Sequence, residues 1–274
     1  MTTLPDPPSH ESREHSELSD NDRHPRLLAV VAHPDDETFG CGSLLLHAAS
    51  SGMVTAVVCA TRGEAGEVAG DLTGDLATVR EAETRKAAEV LGVSDVTFLD
   101  LLDSGMSGDA GPHTLIGASA SEVSDQVREQ IEAFRPDVVV TLDGSDGHRD
   151  HVCIRDATLA AADTSSWAVE RVYLHCLPQS LMRRWFQHMA ATDPSWEHLQ
   201  GDVPGTPEHE ITTVIDTAEH LARREQAIAT HRSQRSPFEG LPDDLRQAFL
   251  TRDSLRRVRP AWMGGTTESA LLLD

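Results

Sequence analysis

The sequence predicts an α/β protein in which helices cover both faces of a mostly parallel sheet. Short apolar runs such as RLLAVVA (residues 26–32) and DVVVTL (residues 137–142) are typical of strands that are buried on both sides. These runs alternate with segments of helical periodicity, and such alternation requires βαβ crossovers between parallel strands. We therefore expect a three-layer, Rossmann-like architecture.

The elements follow one another with clear stop signals. Gly52 and Gly92 mark the ends of the first two helices, and Pro136 breaks the third. The predicted order is strand 26–32, helix 38–51, strand 53–60, helix 76–91, strand 96–99, helix 121–134, strand 137–142, helix 151–162 and strand 171–174. Beyond residue 176 the pattern weakens to helix 182–191, strand 211–215 and helix 218–229.

The chain length of 274 residues suits one large domain. Residues 1–24 are acidic, rich in Ser, Pro and His, and lack the apolar core of a signal peptide, so we interpret them as a disordered leader. Residues 25–274 are interpreted as a single domain, whose C-terminal third roofs the ligand cleft.

Composition argues against several classes of function. The formal net charge of −22 repels nucleic-acid phosphates and anionic lipid, and no apolar stretch is long enough to span a membrane. The cysteines Cys41, Cys59, Cys153 and Cys176 are widely spaced and form no C-x-x-C pair. We expect them to be free thiols in a reducing, cytoplasmic compartment.

The first cluster of functional residues follows the first predicted strand, where the ligand crevice of an open parallel sheet lies. It consists of His33, Pro34, Asp35, Asp36 and Glu37. Capping of the next helix explains one aspartate. Three successive acids beside a histidine repel one another unless a cation lies among them, which favours a divalent metal site.

A second cluster, running from Asp143 to His151, follows the fourth predicted strand. His148 and His151 share a helix face, although such a pair alone is a weak signal. We expect the first and fourth strands to lie near the centre of the sheet, so that their ends converge. Two histidines and one carboxylate would leave a coordination position open, as in catalytic zinc sites.

The segments AHPDDETFGCG and HRDH together resemble the PIG-L/LmbE-like zinc deacetylases, which remove acyl groups from N-acetylglucosamine-type amides. The resemblance runs from about residue 26 to residue 161, and TRGEAG, LLDSGM and HRSQ are also similar to family segments. It implies that His33, Asp36 and His151 bind zinc. It further implies that Asp35 is the general base and that His148 stabilises the oxyanion and assists the leaving amine.

The resemblance also assigns outer positions. Asp150 matches a carboxylate that orients a neighbouring histidine. Arg62, Glu64, Asp103 and Met106 fall where the family contacts its sugar. The chain departs from the family in carrying Ser43 instead of glycine, and in lacking a tyrosine and a proline around Arg149, which could alter what enters the site.

The expected function is that of a hydrolase using Zn²⁺, or Fe²⁺ in vivo, to remove an acyl group from a small acylated aminosugar. An amidase acting on an aminosugar thiol conjugate would use the same residues. A non-haem iron oxygenase is disfavoured by the parallel α/β pattern, and a nucleotide-binding module lacks G-x-G-x-x-G after the first strand. A homo-oligomer remains possible.

Several side chains have simpler interpretations. Arg62 and Arg80 could pair with surface acids. His231 is expected to be a structural, hydrogen-bonding histidine rather than a fourth ligand. Trp185 and Phe186 lie at helical spacing with two methionines and are expected to pack in the core.

Overall fold

In the computed structural model, which describes residues 23–69, 74–192 and 204–272, one seven-stranded sheet organises the chain. The first 22 residues of the predicted leader lie outside the described residues. The strands are β1 (Arg26–Val31), β2 (Val54–Cys59), β3 (Asp95–Phe98), β4 (Val138–Leu142), β5 (Arg171–Cys176), β6 (Thr213–Asp216) and β7 (Arg252–Arg259). Their order across the sheet is β3-β2-β1-β4-β5-β7-β6.

Helices cover both faces of this sheet. They are α1 (Asp36–Phe39), α2 (Gly42–Ser50), α3 (Leu76–Leu91), α4 (Ala120–Phe134), α5 (Arg149–Thr164), α6 (Gln179–Thr192), α7 (Leu221–Ile228) and α8 (Asp243–Leu250). Apolar residues of α2, α3 and α7 pack on one face, and those of α4 and α5 pack on the other. The predicted three-layer α/β class is confirmed.

The centre of the sheet is parallel. β1 pairs with β2 on one side and with β4 on the other, and β5 continues the parallel series. The chain continues from β1 to β2 on one side of β1 and later returns to form β4 on the other side. This reversal of strand order opens a crevice at the carboxyl ends of β1 and β4. The expected convergence of these two strand ends is confirmed.

Period-two alternation explains why β1 reads as a continuous apolar run. Leu27, Ala29 and Val31 face the α2/α3 layer, whereas Leu28 and Val30 face the α4/α5 layer. All five residues are at most 1% exposed. Because helices cover both faces of the strand, apolar residues occupy every position, as expected for a parallel sheet between helices.

The predicted helix 38–51 is wrong in one respect, because it breaks at Gly40 and Cys41 into α1 and α2. The backbone N–H groups of both residues donate to the Asp36 carbonyl. The buried Arg224 guanidinium donates to the carbonyls of Phe39 and Gly40 and so satisfies the groups left at the break. The single turn of α1 holds Asp36 at the crevice.

The sequence interpretation also missed α8 and β7. β7 reads RDSLRRVR and lacks an apolar run, yet it pairs antiparallel with both β5 and β6. Its arginines are matched by acids, since Arg256 pairs with Glu210 and Arg257 pairs with Glu268. Ion pairs therefore replace the alternation that normally identifies a strand.

The cysteines agree with the sequence expectation of free thiols. All four cysteines are free, and three of them are buried. Within the described ranges, no helix combines the length and apolar character needed to cross a bilayer.

Gly40 offers a test of the break between α1 and α2. An added Cβ would lie 2.8 Å from the Asp36 carbonyl oxygen and 3.1 Å from Leu142 Cδ2. Gly40→Ala should therefore lower the free energy of unfolding by about 1–3 kcal/mol, measured by urea denaturation. Gly111→Ala is the control, because a Cβ there meets no atom within 4 Å. Equal stability of the two variants would contradict the packing described.

Candidate metal centre and active-site cleft

Three side chains converge where β1 and β4 end. Asp36 Oδ2 lies 3.5 Å from His33 Nδ1 and 3.3 Å from His151 Nε2. Tetrahedral zinc with ligand bonds of about 2.0–2.2 Å separates its donor atoms by roughly 3.4 Å. The Asp36 carboxylate thus lies close to both histidines, and ligand atoms of His33, His148 and His151 lie within 4.8 Å of one another.

His151 carries the clearest sign of a metal ligand. Its Nε2 is buried without a hydrogen-bond partner among the described residues, although it points towards Asp36. Its Nδ1 lies 2.5 Å from Asp146 Oδ2, which fixes the ring orientation. A carboxylate behind an imidazole is the usual support of a metal-binding histidine. Sequence reasoning gave Asp146 no role, although its position in the second cluster was visible.

His33 is held by two more carboxylates. Its Nε2 lies 3.1 Å from Asp150 Oδ2 and 3.5 Å from Asp103 Oδ1. Asp150 is fully buried and also accepts a hydrogen bond from the Ser104 backbone. The Asp150 carboxylate therefore contacts the ring of His33. Asp150 is linked to His148 through its backbone N–H, which donates to His148 Nδ1.

Charge explains why this cluster favours a cation. Although burial opposes it, Asp36 and Asp146 raise the pKa of His151 to about 10. Burial alone would raise the pKa of Asp36. The two histidines outweigh this effect and hold the pKa of Asp36 well below its usual range. The carboxylates thus stabilise positive charge between them, and a mixed nitrogen and oxygen donor set suits Zn²⁺ or Fe²⁺.

Asp35 lies beside this cluster in a strained backbone conformation, with φ of 112°. Its backbone N–H donates to Glu37 Oε2 at 2.8 Å, and Arg80 Nη2 donates to its Oδ2 at 3.0 Å. Burial raises the pKa of Asp35 to about 7, although Arg80 acts in the opposite direction. Its side chain lines the cleft. A carboxylate with this pKa can accept a proton near neutral pH.

Arg80 is not a surface ion-pairing residue, so that interpretation was wrong. It is 3% exposed and donates to Pro34 and Gly63 carbonyls as well as to Asp35. The glycines of the TRGEAG segment make room for it, since a Cβ at Gly63 would lie 2.1 Å from Arg80 Nη1. The segment therefore serves the site through the packing of Arg80.

His231 occupies a structural position next to the cluster. Its Nε2 lies 2.8 Å from Glu37 Oε1 and 3.1 Å from Thr38 Oγ1. Glu37 is fully buried, and its other oxygen accepts the Asp35 N–H. His231 thus contacts the group that holds the Asp35 backbone.

His148 caps the N-terminus of α5. Its Nδ1 accepts the Asp150 backbone N–H at 3.2 Å, so the neutral ring carries its proton on Nε2. Burial and the neighbouring histidines lower the pKa of His148. The ring lies 4.6 Å from that of His33, between centroids, and lines the cleft. It can therefore donate a hydrogen bond into the cleft without carrying a charge.

The four residues assigned to the sugar occupy different settings. Met106 is 70% exposed and lines the cleft. Arg62 pairs with Glu81 at 3.0 Å and donates to the Leu99 carbonyl. Glu64 accepts the Asp103 backbone N–H, and the Asp103 carboxylate faces His33.

Arg149 holds a loop in place instead of standing free at the entrance. Its guanidinium donates to the carbonyls of Ser104, Gly105, Ser107 and Gly108. These contacts fix the loop that carries Met106 and follows Asp103. The segment that lacks the tyrosine and proline of the family pattern thus carries an arginine that holds the neighbouring loop through hydrogen bonds.

The cleft has a volume of about 1000 Å³ and extends from the metal centre to the C-terminal segments. Trp185 and Phe186 line it and are half-buried, so core packing describes them only in part, since Trp185 also packs against the hydrophobic cluster of Phe238, Leu241, Leu245 and Leu250. Met182 is the residue of α6 that is buried. Helical spacing alone could not separate a core face from a cleft face.

Residues 28–162 match the family described as PIG-L, GlcNAc-PI de-N-acetylase. The 1D-myo-inositol 2-acetamido-2-deoxy-alpha-D-glucopyranoside deacetylase of Actinosynnema mirum is 36% identical over 229 residues, covering 77% of this chain and 81% of that protein.

Solved structures show the same fold. A deacetylase of teicoplanin biosynthesis has a TM-score of 0.60 at 21% identity and covers 85% of this chain and 97% of its own. The 4-carboxy-2-hydroxymuconate hydratase of Pseudomonas putida has a TM-score of 0.58 at 17% identity, with coverage of 88% and 99%. Because a hydratase shares the fold, the fold alone does not define the reaction. With the sequence match to the inositol glycoside deacetylase, the chain belongs to the PIG-L family.

Proposed function

We propose that this protein is a metal-dependent N-deacetylase, which hydrolyses the acetamide of an N-acetylglucosamine-type sugar to acetate and a free amine. The observation that carries the proposal is the approach of Asp36 Oδ2 to His33 and His151, with Asp35 held beside them. The curated relatives are deacetylases of an acetamido sugar, which supports the same reaction class.

The metal would be held by His33, Asp36 and His151, because the Asp36 carboxylate lies 3.5 Å from His33 Nδ1 and 3.3 Å from His151 Nε2. When bound, zinc would polarise the amide carbonyl and make a water molecule more acidic. Ferrous iron accepts the same two-histidine, one-carboxylate set. Asp146 and Asp150 would keep the two imidazoles in their binding orientations.

Asp35 is assigned as the general base. Its carboxylate takes a proton from the attacking water, and Arg80 keeps its Oδ2 in place. Burial raises the pKa of Asp35 above the usual carboxylate range, which makes it a stronger proton acceptor. That proton goes to the amide nitrogen as the C–N bond breaks.

His148 is assigned to the oxyanion. With Nδ1 occupied by the α5 N-cap hydrogen bond, its Nε2–H faces the cleft and donates to the carbonyl oxygen as negative charge develops. In this neutral form the ring acts as a hydrogen-bond donor, and the proton for the leaving amine comes from Asp35. Removal of one such donor in other hydrolases costs about 100- to 1000-fold in rate.

Two rival functions share the donor set. Cleavage of an aminosugar thiol conjugate would use the same residues but differs in substrate, whereas the curated relatives are deacetylases. An iron oxygenase would consume O₂, which hydrolysis does not.

A cytoplasmic location is proposed from the four free thiols.

Two substitutions separate metal binding from catalysis. His151→Ala should lose both bound zinc and activity, because it removes a ligand. Asp35→Asn should retain one equivalent of zinc and lose at least about 100-fold in kcat, because it removes the base. Metal content by elemental analysis and kcat by amine release check both, with the exposed His113→Ala as control. Full activity of Asp35→Asn would refute the assigned base.

The reaction itself is tested by a screen for released amine on N-acetylglucosamine glycosides. We expect activity that a chelator abolishes and added zinc restores, with one acetate formed per amine. Oxygen uptake measured in parallel should be zero. Chelator-resistant turnover, or uptake of oxygen, would rule out the proposed metal hydrolase.

A further inference from the structure

Two histidines and a glutamate meet outside the cleft, where the end of α2 lies against the start of α7. His47 lies in the last turn of α2, and Glu219 and His220 belong to the short 3-10 turn Ala218–His220 that leads into α7. One ligand atom from each of the three residues lies within 4.8 Å of the other two. The rings of His47 and His220 are 5.9 Å apart between centroids. We name these three residues the outer cluster.

The outer cluster is separate from the candidate metal centre. α2 begins beside the crevice at Gly42 and runs to the opposite edge of the sheet, where the parallel strand β2 begins at Val54. The last turn of α2, which carries His47, therefore points away from the carboxyl ends of the strands. The two groups of donors share no residue.

His47 is not committed to another partner. Among the described residues its imidazole makes no hydrogen bond or ion pair, and its Nδ1 is buried and unpaired. Buried polar atoms normally have a partner, and an ion is one of the partners that account for an apparent exception. The ring of His47 is thus available as a ligand.

His220 is buried, yet its contacts are weak. Its Nε2 lies 3.4 Å from Ser50 Oγ and 3.6 Å from Glu219 Oε1, and both distances exceed those of a strong hydrogen bond. Burial lowers the pKa of His220, although Glu219 acts in the opposite direction. The ring is therefore neutral at pH 7, and the neutral imidazole is the form that binds a metal ion.

Glu219 supplies the negative charge of the outer cluster. Its side chain is 76% exposed, so its carboxylate can reach the two rings without breaking a packed contact. Arg223 is the neighbouring base that opposes protonation of His220, and its guanidinium donates to the Val90 carbonyl at 2.7 Å. Two neutral imidazoles and one carboxylate form a donor set that suits zinc.

We propose that the outer cluster binds a second Zn²⁺ ion, which ties the end of α2 to the start of α7. This inference goes beyond the proposed function, because none of the residues assigned to the reaction would contact the ion. Its role would be structural. α7 carries Arg224, whose guanidinium donates to the carbonyls of Phe39 and Gly40 at the break that holds Asp36. The ion would stabilise the helix pair on which that contact depends.

The outer ion should be the weaker of the two. Asp146 and Asp150 hold the histidines of the metal centre in place, whereas no carboxylate is placed behind the rings of His47 and His220 by the described hydrogen bonds. Such supporting contacts are worth about 10- to 100-fold in metal affinity. Protein purified without added zinc is therefore expected to carry the catalytic ion only.

The test starts from the full chain loaded with one equivalent of zinc and follows uptake of further zinc by equilibrium dialysis and elemental analysis. Wild type should take up one more ion, with a Kd at least about tenfold higher than that of the first. His47→Ala and Glu219→Ala should each weaken this second binding at least about tenfold and leave the first ion in place. His113→Ala, which removes an exposed histidine outside both clusters, should bind like wild type.

Thermal denaturation gives an independent measurement, because an ion that binds only the folded chain raises its Tm. Zinc at about 100 times the second Kd should raise the Tm of wild type and His113→Ala by roughly 5–10 °C above the value with one equivalent. His47→Ala and Glu219→Ala should show little of this rise. Glu219→Ala removes an exposed side chain, so its fold is expected to be intact.

The results separate the outer site from binding elsewhere on the chain. Loss of the second ion and of its Tm rise in both variants, with kcat unchanged at one equivalent of zinc, would support the proposal. A second ion that both variants bind as tightly as wild type would lie elsewhere and would overturn it. A wild-type chain that takes up no ion beyond the first would overturn it as well.

Discussion

Asp36 stands 3.3 Å from His151 and 3.5 Å from His33 at the edge of the sheet where β1 and β4 end side by side. Asp146 and Asp150 lie against the outer nitrogens of the same two imidazoles. Carboxylates at this density repel one another unless positive charge lies between them. The strand order places them there, because β1 and β4 are direct neighbours with their loops at one edge. This arrangement of charge supports the proposed binding of a divalent cation.

Asp35 shows how the surrounding structure maintains the site. A non-glycine residue with φ of 112° carries strain of about 1–3 kcal/mol. Arg80 holds its carboxylate, and Glu37 holds its backbone N–H. Arg80 in turn depends on the small size of Gly63. Asp35 thus stays beside the donor cluster without joining it, as its proposed role of general base requires.

The sequence predicted the parts of the fold that depend on local pattern. The five parallel strands and the helix Leu76–Leu91, with its αL cap at Gly92, follow from apolar runs and stop signals. β7 was missed because its arginines are neutralised by distant acids, which no local window contains.

The candidate site was likewise predicted only in part. HPDDE and HRDH identified the donor cluster, but the contact of Arg80 with Asp35 joins two separate parts of the chain and depends on the folded structure. Asp146 lies in the same segment as its partner His151, yet no sequence pattern indicated that its side chain turns back to the imidazole. Trp185 and Phe186 could be assigned to the cleft only once α6 was placed beside it.

The most direct measurement of the metal site is an anomalous difference map, recorded at the zinc edge from crystals containing one equivalent of zinc. The account predicts a single peak about 2.0–2.2 Å from His33 Nδ1, an Asp36 carboxylate oxygen and His151 Nε2. Away from this site, a separate group of donors, His47, Glu219 and His220, also has ligand atoms within 4.8 Å of one another. A peak there, with none touching Asp36 and His151 together, would contradict the account.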